Sequence, residues 1–258
     1  MGDASEFLQK MIDILDCFDL QTPLLGITEI SRRLDLPKST TQRIVNNLRY
    51  HGLVEQDQTT GKYRLGVRLF ELGIRALRHM ELPRRAEPYL HALTERTGET
   101  STLAVLDHFE ALYVGRAESS RMLRASSIGS RMPLHCTALG KVLLSALPTA
   151  EFERFLREKE LTPRTPRTVT SPDVLRQHVE QVRAQGYAFD VDEFEQGLIC
   201  IAAPVRNHAS QIIAAVGIAV PTARADETRQ RELLQAVCDT VTDISHEMGY
   251  NGGWSNAI

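Results

Sequence analysis

Apolar residues recur at three- and four-residue steps through positions 27–48: Ile27, Ile30, Leu34 and Leu36, then Ile44, Val45 and Leu48. That period is helical and predicts two short amphipathic helices sharing one core. Thr28 is placed to cap the first helix. Asp35-Leu36-Pro37 breaks it and leaves Lys38-Ser39-Thr40 to open the second with free backbone N–H groups, which together with the helix dipole suit a phosphate. The period then changes. Residues 53–56 and 62–65 read as two strands around Asp57-Gln58-Thr59-Thr60-Gly61, with Gly52 placed to end the preceding helix in a left-handed conformation. Two helices followed by a β-hairpin predict a winged helix-turn-helix.

Helical spacing returns over residues 67–80 with Leu69, Phe70, Gly73, Ile74 and Leu77, and Leu82-Pro83 is expected to break it. This reads as a linker helix. Its apolar stripe needs a partner, and from the pattern alone a second subunit and the chain's own core fit equally well. Further on, helices are predicted over 84–97, 138–147, 150–158, 172–185 and 227–248. The helices at 150 and 172 are each preceded by a Thr or Ser able to cap. Strands are predicted over 100–106, 111–118, 122–127, 187–191, 199–206 and 212–220. Strands meeting mainly through hairpins, flanked by helices, imply an α+β domain on an antiparallel sheet that can cradle a small ligand on one face. The expected division is a winged-helix domain at 1–66, a linker helix at 67–82, a larger α+β domain at 83–250 and a tail at 251–258.

Charge sharpens the first domain. The whole chain carries a formal charge of -3, yet residues 32–75 hold nine Lys and Arg against four Asp and Glu. Positive charge is concentrated where it can meet phosphates. On the second helix Ser39, Gln42, Arg43, Asn46 and Arg49 fall opposite Ile44 and Leu48, and all can hydrogen-bond base edges or phosphates. The candidate DNA-binding residues are therefore Lys38, Ser39, Thr40, Gln42, Arg43 and Asn46, with Lys62 and Arg64 on the wing. There they alternate with Tyr63 and Leu65, so that one face packs and the other offers cations. The expected partner is a double-stranded DNA operator, and the alternative is an ordinary three-helix packing unit with a surface hairpin.

Other chemistry is thinly represented. The N-terminal 18 residues form an amphipathic pattern carrying acids rather than a signal peptide, and no apolar run approaches the roughly 20 residues that span a bilayer. A cytoplasmic protein without a membrane partner is expected. Cys17, Cys136, Cys200 and Cys238 are scattered and form no CxxC or Cys/His cluster, so neither metal, cofactor nor disulfide framework is expected. His108 and His135 are isolated and read as structural. No nucleophile with its base and no phosphate loop is assembled, so no catalytic residue is assigned. An enzyme with an appended DNA reader and a ligand-independent architectural protein stay as alternatives.

LPKSTTQRIVNNL followed by the wing, then MPLHCTALGKVLLSAL, GYAFDVDEFEQGLICIAAPV and IIAAVGIAVP, in this order, resemble the signatures of the IclR family of bacterial transcriptional regulators, over nearly the whole chain to Gly249. The resemblance implies a winged-helix reader, a linker helix and a GAF-like effector domain, working as homodimers or dimers of dimers. It also implies that Thr137, Ala138 and Leu139 at a helix start, Asp190, Cys200, Gly217 and Ala219 contact the effector. A helix start offers N–H donors to a carboxylate, and Cys200 is a small, soft wall residue. Ionised Asp190 would repel an anion, so it accepts hydrogen bonds from hydroxyls or water, or is protonated when the ligand binds. Read without the family, Asp190 is a turn acid and Cys200 a core thiol. Gly217 and Ala219 stand where the small-keto-acid members are implied to carry serine hydroxyls. Fewer donors and more room point away from glyoxylate and pyruvate and toward a larger organic acid, such as a sugar acid or an aromatic acid. The resulting expectation is a repressor of a catabolic operon that responds to such an acid.

Overall fold

The computed structural model describes residues 2–19, 22–120 and 127–252. The chain divides into two compact units between Met80 and Glu81. The first contains helices α1 (Gly2–Asp16), α2 (Ile27–Leu34) and α3 (Lys38–Tyr50), the hairpin strands β1 (Val54–Gln56) and β2 (Tyr63–Leu65), and helix α4 (Val67–His79). Ile30 from α2 and Ile44, Val45 and Leu48 from α3 meet Ile14 of α1, Val54 and Tyr63 in one core. Leu25 adds a bridge to the hairpin, exchanging backbone hydrogen bonds with Tyr63 at 2.8 and 2.9 Å. Gly52 has φ 72° and turns the chain out of α3 into the wing, a conformation that costs glycine little.

Two local expectations are corrected here. Thr28 does not cap α2; Gly26 does, and the Glu29 carboxylate reaches back to accept its N–H at 2.6 Å, leaving Thr28 inside the first turn. The break after the linker comes earlier than Leu82-Pro83. Helix α4 ends at His79 and α5 (Glu81–Thr97) starts at once, with Pro83 in its first turn, where a missing N–H costs nothing. Glu55 caps α4 by accepting the Val67 N–H at 3.1 Å. None of the described side chains of α4 is buried, and Val67, Phe70 and Leu72 are exposed.

The second unit continues with β3 (Thr100–Asp107), β4 (Glu110–Ala117), β5 (Arg131–Met132), α6 (Ala138–Ser145), α7 (Thr149–Glu158), α8 (Pro172–Gln185), β6 (Ala188–Val191), β7 (Leu198–Arg206), β8 (Ile212–Pro221) and α9 (Glu227–Glu247). The six strands form one antiparallel sheet in the order β5-β4-β3-β8-β7-β6. The strand expected at 122–127 lies, apart from Ser127, outside the described residues. Neither expected side-chain cap forms: Thr149 is already helical behind Pro148, and Ser171 makes no capping bond because Pro172 itself starts α8 with its fixed φ.

Strand alternation sorts the sheet into two unlike faces. Leu103, Val114, Ile199, Ile201, Val205, Val216, Ile218 and Val220 pack under α5 and α9. The opposite face carries Ala104, Ala188, Ala202 and Ala215 under α6, α7 and α8. Small side chains on that face let α6 approach closely. Register aligns chain-distant residues there: Asp190 lies opposite Cys200, Cys200 opposite Ala219, and Gly217 between Ala202 and Thr102.

Candidate nucleic-acid interface and ligand cavity

Helix α3 buries Thr41, Ile44, Val45 and Leu48 and turns a surface without any Asp or Glu outward. Lys38, Ser39, Arg43, Asn46 and Arg49 are exposed, whereas Thr40 and Gln42 are half-buried. Pro37 at the N-cap offers no side-chain bond to the first turn. The outward groups are not loose. Gln42 Nε2 donates to Asn46 Oδ1 at 3.1 Å and to Tyr63 Oη at 3.3 Å. Arg49 donates to Gln56 Oε1 at 2.8 Å, and Gln56 in turn donates to the Gly61 carbonyl at 3.0 Å near the wing tip. The Arg43 guanidinium rests over the Phe7 ring of α1 at 5.4 Å.

The wing differs from its expected form. Tyr63 packs, but Leu65 is 43% exposed, because α4 turns away directly after it. Lys62 and Arg64 are not free cations. Lys62 Nζ lies 3.1 Å from Glu29, and Arg64 lies 3.3 Å from Glu55. Both carboxyls are held below the usual range, first by the backbone N–H each accepts, from Gly26 and Val67, and then by the cation. Exposed pairs of this kind exchange readily for a phosphate.

In the second unit Thr137, Ala138, Leu139, Asp190, Cys200, Gly217 and Ala219 line one cavity of about 400 Å³ including its mouth, together with Thr102, Tyr113 and Phe194. Thr137 is the N-cap of α6: its Oγ1 donates to the Pro133 carbonyl at 2.8 Å and accepts the Gly140 N–H at 3.1 Å. The N–H groups of Ala138 and Leu139 are thereby left to face a ligand. Asp190 is 2% exposed, and burial pushes its carboxyl up to about 7 against two stabilising N–H bonds, from Glu193 at 2.8 Å and Phe194 at 3.4 Å. Cys200 lies opposite Asp190 in the strand register, and its thiol is raised, first by desolvation and then by the Asp190 carboxyl. Gly217 does not simply add room. A Cβ there would come within 2.6 Å of the Ile201 carbonyl oxygen, so strand β7 already occupies the space a side chain would need.

A buried ion pair braces the cavity. Lys141 of α6, 2% exposed, bonds Glu193 and also donates to the Phe189 carbonyl at 3.3 Å. Glu193 Oε2 has no partner. Thr165 and Thr168 donate to the carbonyls of Asp192 and Glu193 at 2.6 Å, tying residues 165–168 to the same turn. His135 is buried against the Thr162 carbonyl at 3.1 Å, and burial holds its imidazole toward the neutral form. Among the described residues no group of three or more His, Cys, Asp or Glu could hold a metal ion, and no helix is long and apolar enough to cross a membrane.

Comparison with known proteins covers both units. The IclR helix-turn-helix domain matches residues 8–58, and the bacterial transcriptional regulator IclR C-terminal domain matches residues 74–246. The chain belongs to the IclR family. The HTH-type transcriptional regulator KdgR of Escherichia coli K12 is 40% identical over 250 residues, covering 96% of this chain and 95% of KdgR. The transcriptional repressor AllR of Salmonella paratyphi A is 33% identical over 247 residues, covering 95% and 91%. An IclR homolog from Microbacterium hydrocarbonoxydans, solved in complex with 4-hydroxybenzoate, superposes with a TM-score of 0.82 at 28% identity, covering 94% of this chain and 98% of that one. The protein is thus a DNA-binding transcriptional regulator whose C-terminal domain is of the IclR type.

Several residues of this IclR-family chain escaped the sequence reading. Tyr50 is 86% exposed on the outward side of α3. Its signal was its spacing, four residues beyond Asn46 and seven beyond Arg43. Thr102 and Tyr113 bring hydroxyls to the cavity from β3 and β4, and among the described residues no hydrogen-bond partner occupies either hydroxyl. Burial raises the Tyr113 phenol, and Cys200 and Asp190, which line the same cavity, raise it further. Only strand register could have brought these residues to the others.

Proposed function

We propose that this protein is an effector-controlled repressor in which α3 enters the major groove and the cavity beneath α6 binds a small organic acid. The observation that carries the effector reading is the convergence of all seven expected positions on one cavity from three separate segments. A carboxylate sits at the start of α6, where the Ala138 and Leu139 N–H groups and the helix dipole favour negative charge. The Thr102 and Tyr113 hydroxyls replace the donors that Gly217 and Ala219 cannot supply. An acid bearing hydroxyl or carbonyl groups along its length satisfies them, whereas a purely apolar tail leaves them unpaired at a cost of about 1–3 kcal/mol each. Support for an acid also comes from the relative solved with 4-hydroxybenzoate.

On the DNA side, Lys38, Ser39, Thr40 and the wing cations Lys62 and Arg64 hold the backbone, and Gln42, Arg43 and Asn46 read base edges. The exposed Val67, Phe70 and Leu72 of α4 are covered by a second copy, giving a homodimer or a dimer of dimers and a two-fold symmetric operator. The protein works in solution in the cytoplasm, and its role is binding rather than turnover. The test is a melting-temperature panel of two- and three-carbon keto acids, sugar acids and aromatic acids, followed by selection of bound DNA with and without the best ligand. Stabilisation by the larger acids together with an altered DNA yield supports the reading. Stabilisation by the two- and three-carbon acids only overturns the proposed ligand size.

A further inference from the structure

We infer that a second cavity, between α8 and the edge strand β6, binds a neutral polyhydroxylated molecule through the buried Lys141–Glu193 pair. The cavity measures about 530 Å³ including its mouth and shares no lining residue with the one at the start of α6. It stands whichever acid that first cavity takes. Gln181 is exposed at the mouth, His178 and Gln185 are half-buried, and Lys141 and Glu193 at the inner end are 2% and 8% exposed. The inner end carries an unmet acceptor and an unmet donor side by side. Glu193 gives Oε1 to Lys141, and its Oε2 has no partner. The Lys141 ammonium has three N–H groups, of which Glu193 and the Phe189 carbonyl take two; among the described residues nothing takes the third. A buried carboxylate oxygen without a donor is costly. Two neighbouring hydroxyls answer both needs, one accepting from Lys141 and the next donating to Glu193 Oε2.

Charge selects against other ligands. Lys141 and Glu193 cancel, and the remaining titratable group of the lining, His178, is held toward its neutral form, first by burial and then by Lys141. An anion would meet the spare Glu193 oxygen and a cation the Lys141 ammonium, each giving up water without a counter-charge of its own. Toward the mouth the polar groups are neutral. His178 offers one donor and one acceptor, and the amides of Gln181 and Gln185 are already ordered. Gln181 donates to Gln185 at 3.4 Å, and Gln185 donates to the Tyr187 carbonyl at 2.8 Å. Further hydroxyls along the ligand are matched there, while Val182 and Ala188 meet its C–H surface.

The experiment titrates the full-length protein, labelled at its Ile, Leu and Val methyl groups, with sorbitol, gluconate and 1,6-hexanediol, and follows the methyl NMR shifts. Val182 and Val191 report this cavity, and Leu139 and Ile218 the other. Sorbitol is expected to move Val182 and Val191 to saturation, half-way at about 1–3 mM, and to leave Leu139 and Ile218 in place. Gluconate carries the same chain with a terminal carboxylate, and 1,6-hexanediol lacks neighbouring hydroxyls; at Val182 and Val191 each should need about tenfold more. Gln181→Trp, which plugs the mouth from an exposed position of α8, should abolish the sorbitol response, whereas Ala219→Leu, on the wall of the other cavity, should keep it. The wild-type methyl map decides the matter even where Gln181→Trp fails to fold. Sorbitol shifts that never saturate would mean that solvent alone satisfies the pair, and would overturn the inference. So would a response at Leu139 and Ile218 instead, gluconate or 1,6-hexanediol binding as tightly as sorbitol at Val182 and Val191, or a folded Gln181→Trp protein that still responds.

Discussion

The outward face of α3 and the cavity beneath α6 both gather polar groups, but they hold them by opposite means. On α3 Arg43, Asn46 and Arg49 stand in water and Gln42 is half-buried, each held only by a side-chain contact on the helix, the wing or α1 that a competing partner can replace. Asp190 in the cavity wall and Lys141 and Glu193 beside it are almost wholly buried; backbone N–H groups hold Asp190, the Phe189 carbonyl and Glu193 hold Lys141, and Lys141 holds Glu193. The first arrangement makes binding groups replaceable one at a time. The second couples them to the stability of the domain, because a buried charge that loses its partner cannot turn to solvent.

The sharpest break in this comparison should come at Lys141. Lys141→Met leaves Glu193, which already has one oxygen unpartnered, without its cation, and should cost the second unit about 3–5 kcal/mol in denaturant unfolding of the full chain. Adding Glu193→Leu should recover most of the loss. A single-mutant loss no larger than that of a surface substitution would place the pair among the replaceable groups instead.

Asp190 should follow with a dependence on pH. Its folded carboxyl is raised from 3.8 to about 7, so the folded state keeps a proton that the unfolded chain releases. Stability therefore falls as pH rises from about 4 to about 7, by as much as roughly 4 kcal/mol, and is level above that. Asp190→Asn should flatten this part of the profile. An anionic ligand bound beside Asp190 raises the carboxyl further, so calorimetry near neutral pH should record proton uptake and an affinity that declines in alkali. Identical pH profiles for wild type and Asp190→Asn would refute the buried-acid account.

Effects on the reader should be smaller and confined to DNA binding. Arg43→Ala should cost roughly 1–3 kcal/mol at one base position and little on random DNA, read by competition binding. Equal losses on both would make Arg43 a phosphate contact. Smallest of all, Lys62→Gln should weaken binding to every sequence alike and lower the salt slope by about 0.9, with the melting temperature hardly changed, since its partner Glu29 keeps the Gly26 N–H. A lost preference at one base would show that Lys62 reads sequence.

The same contrast explains what the sequence disclosed. The reader is local: its helices, turn and wing lie within 40 consecutive residues, and the apolar period alone aligned Ile30, Ile44 and Leu48 into one core. Its errors were also local, such as the Gly26 and Glu29 capping pair that displaced Thr28, and the carboxylates that met Lys62 and Arg64. The cavity is non-local. Thr102, Tyr113, Asp190, Cys200 and Gly217 come together only through the register of five strands, which no spacing along the chain encodes. The family motifs supplied seven of its residues, whereas the two hydroxyls from β3 and β4 lay outside those motifs. The contact between Gly217 and Ile201 likewise shows a missing side chain to be a packing requirement, which composition cannot distinguish from open space.

Effector control requires that occupation of the cavity change operator affinity. Ala219 faces the cavity and is only partly buried, so Ala219→Leu fills the site from the sheet side. The decisive measurement is operator affinity of the full-length wild type and of Ala219→Leu, with and without the acid that stabilises the wild type most. A change of about 5–150-fold is expected for the wild type. Ala219→Leu should bind the operator normally and ignore the acid. A response of equal size in both proteins would contradict it.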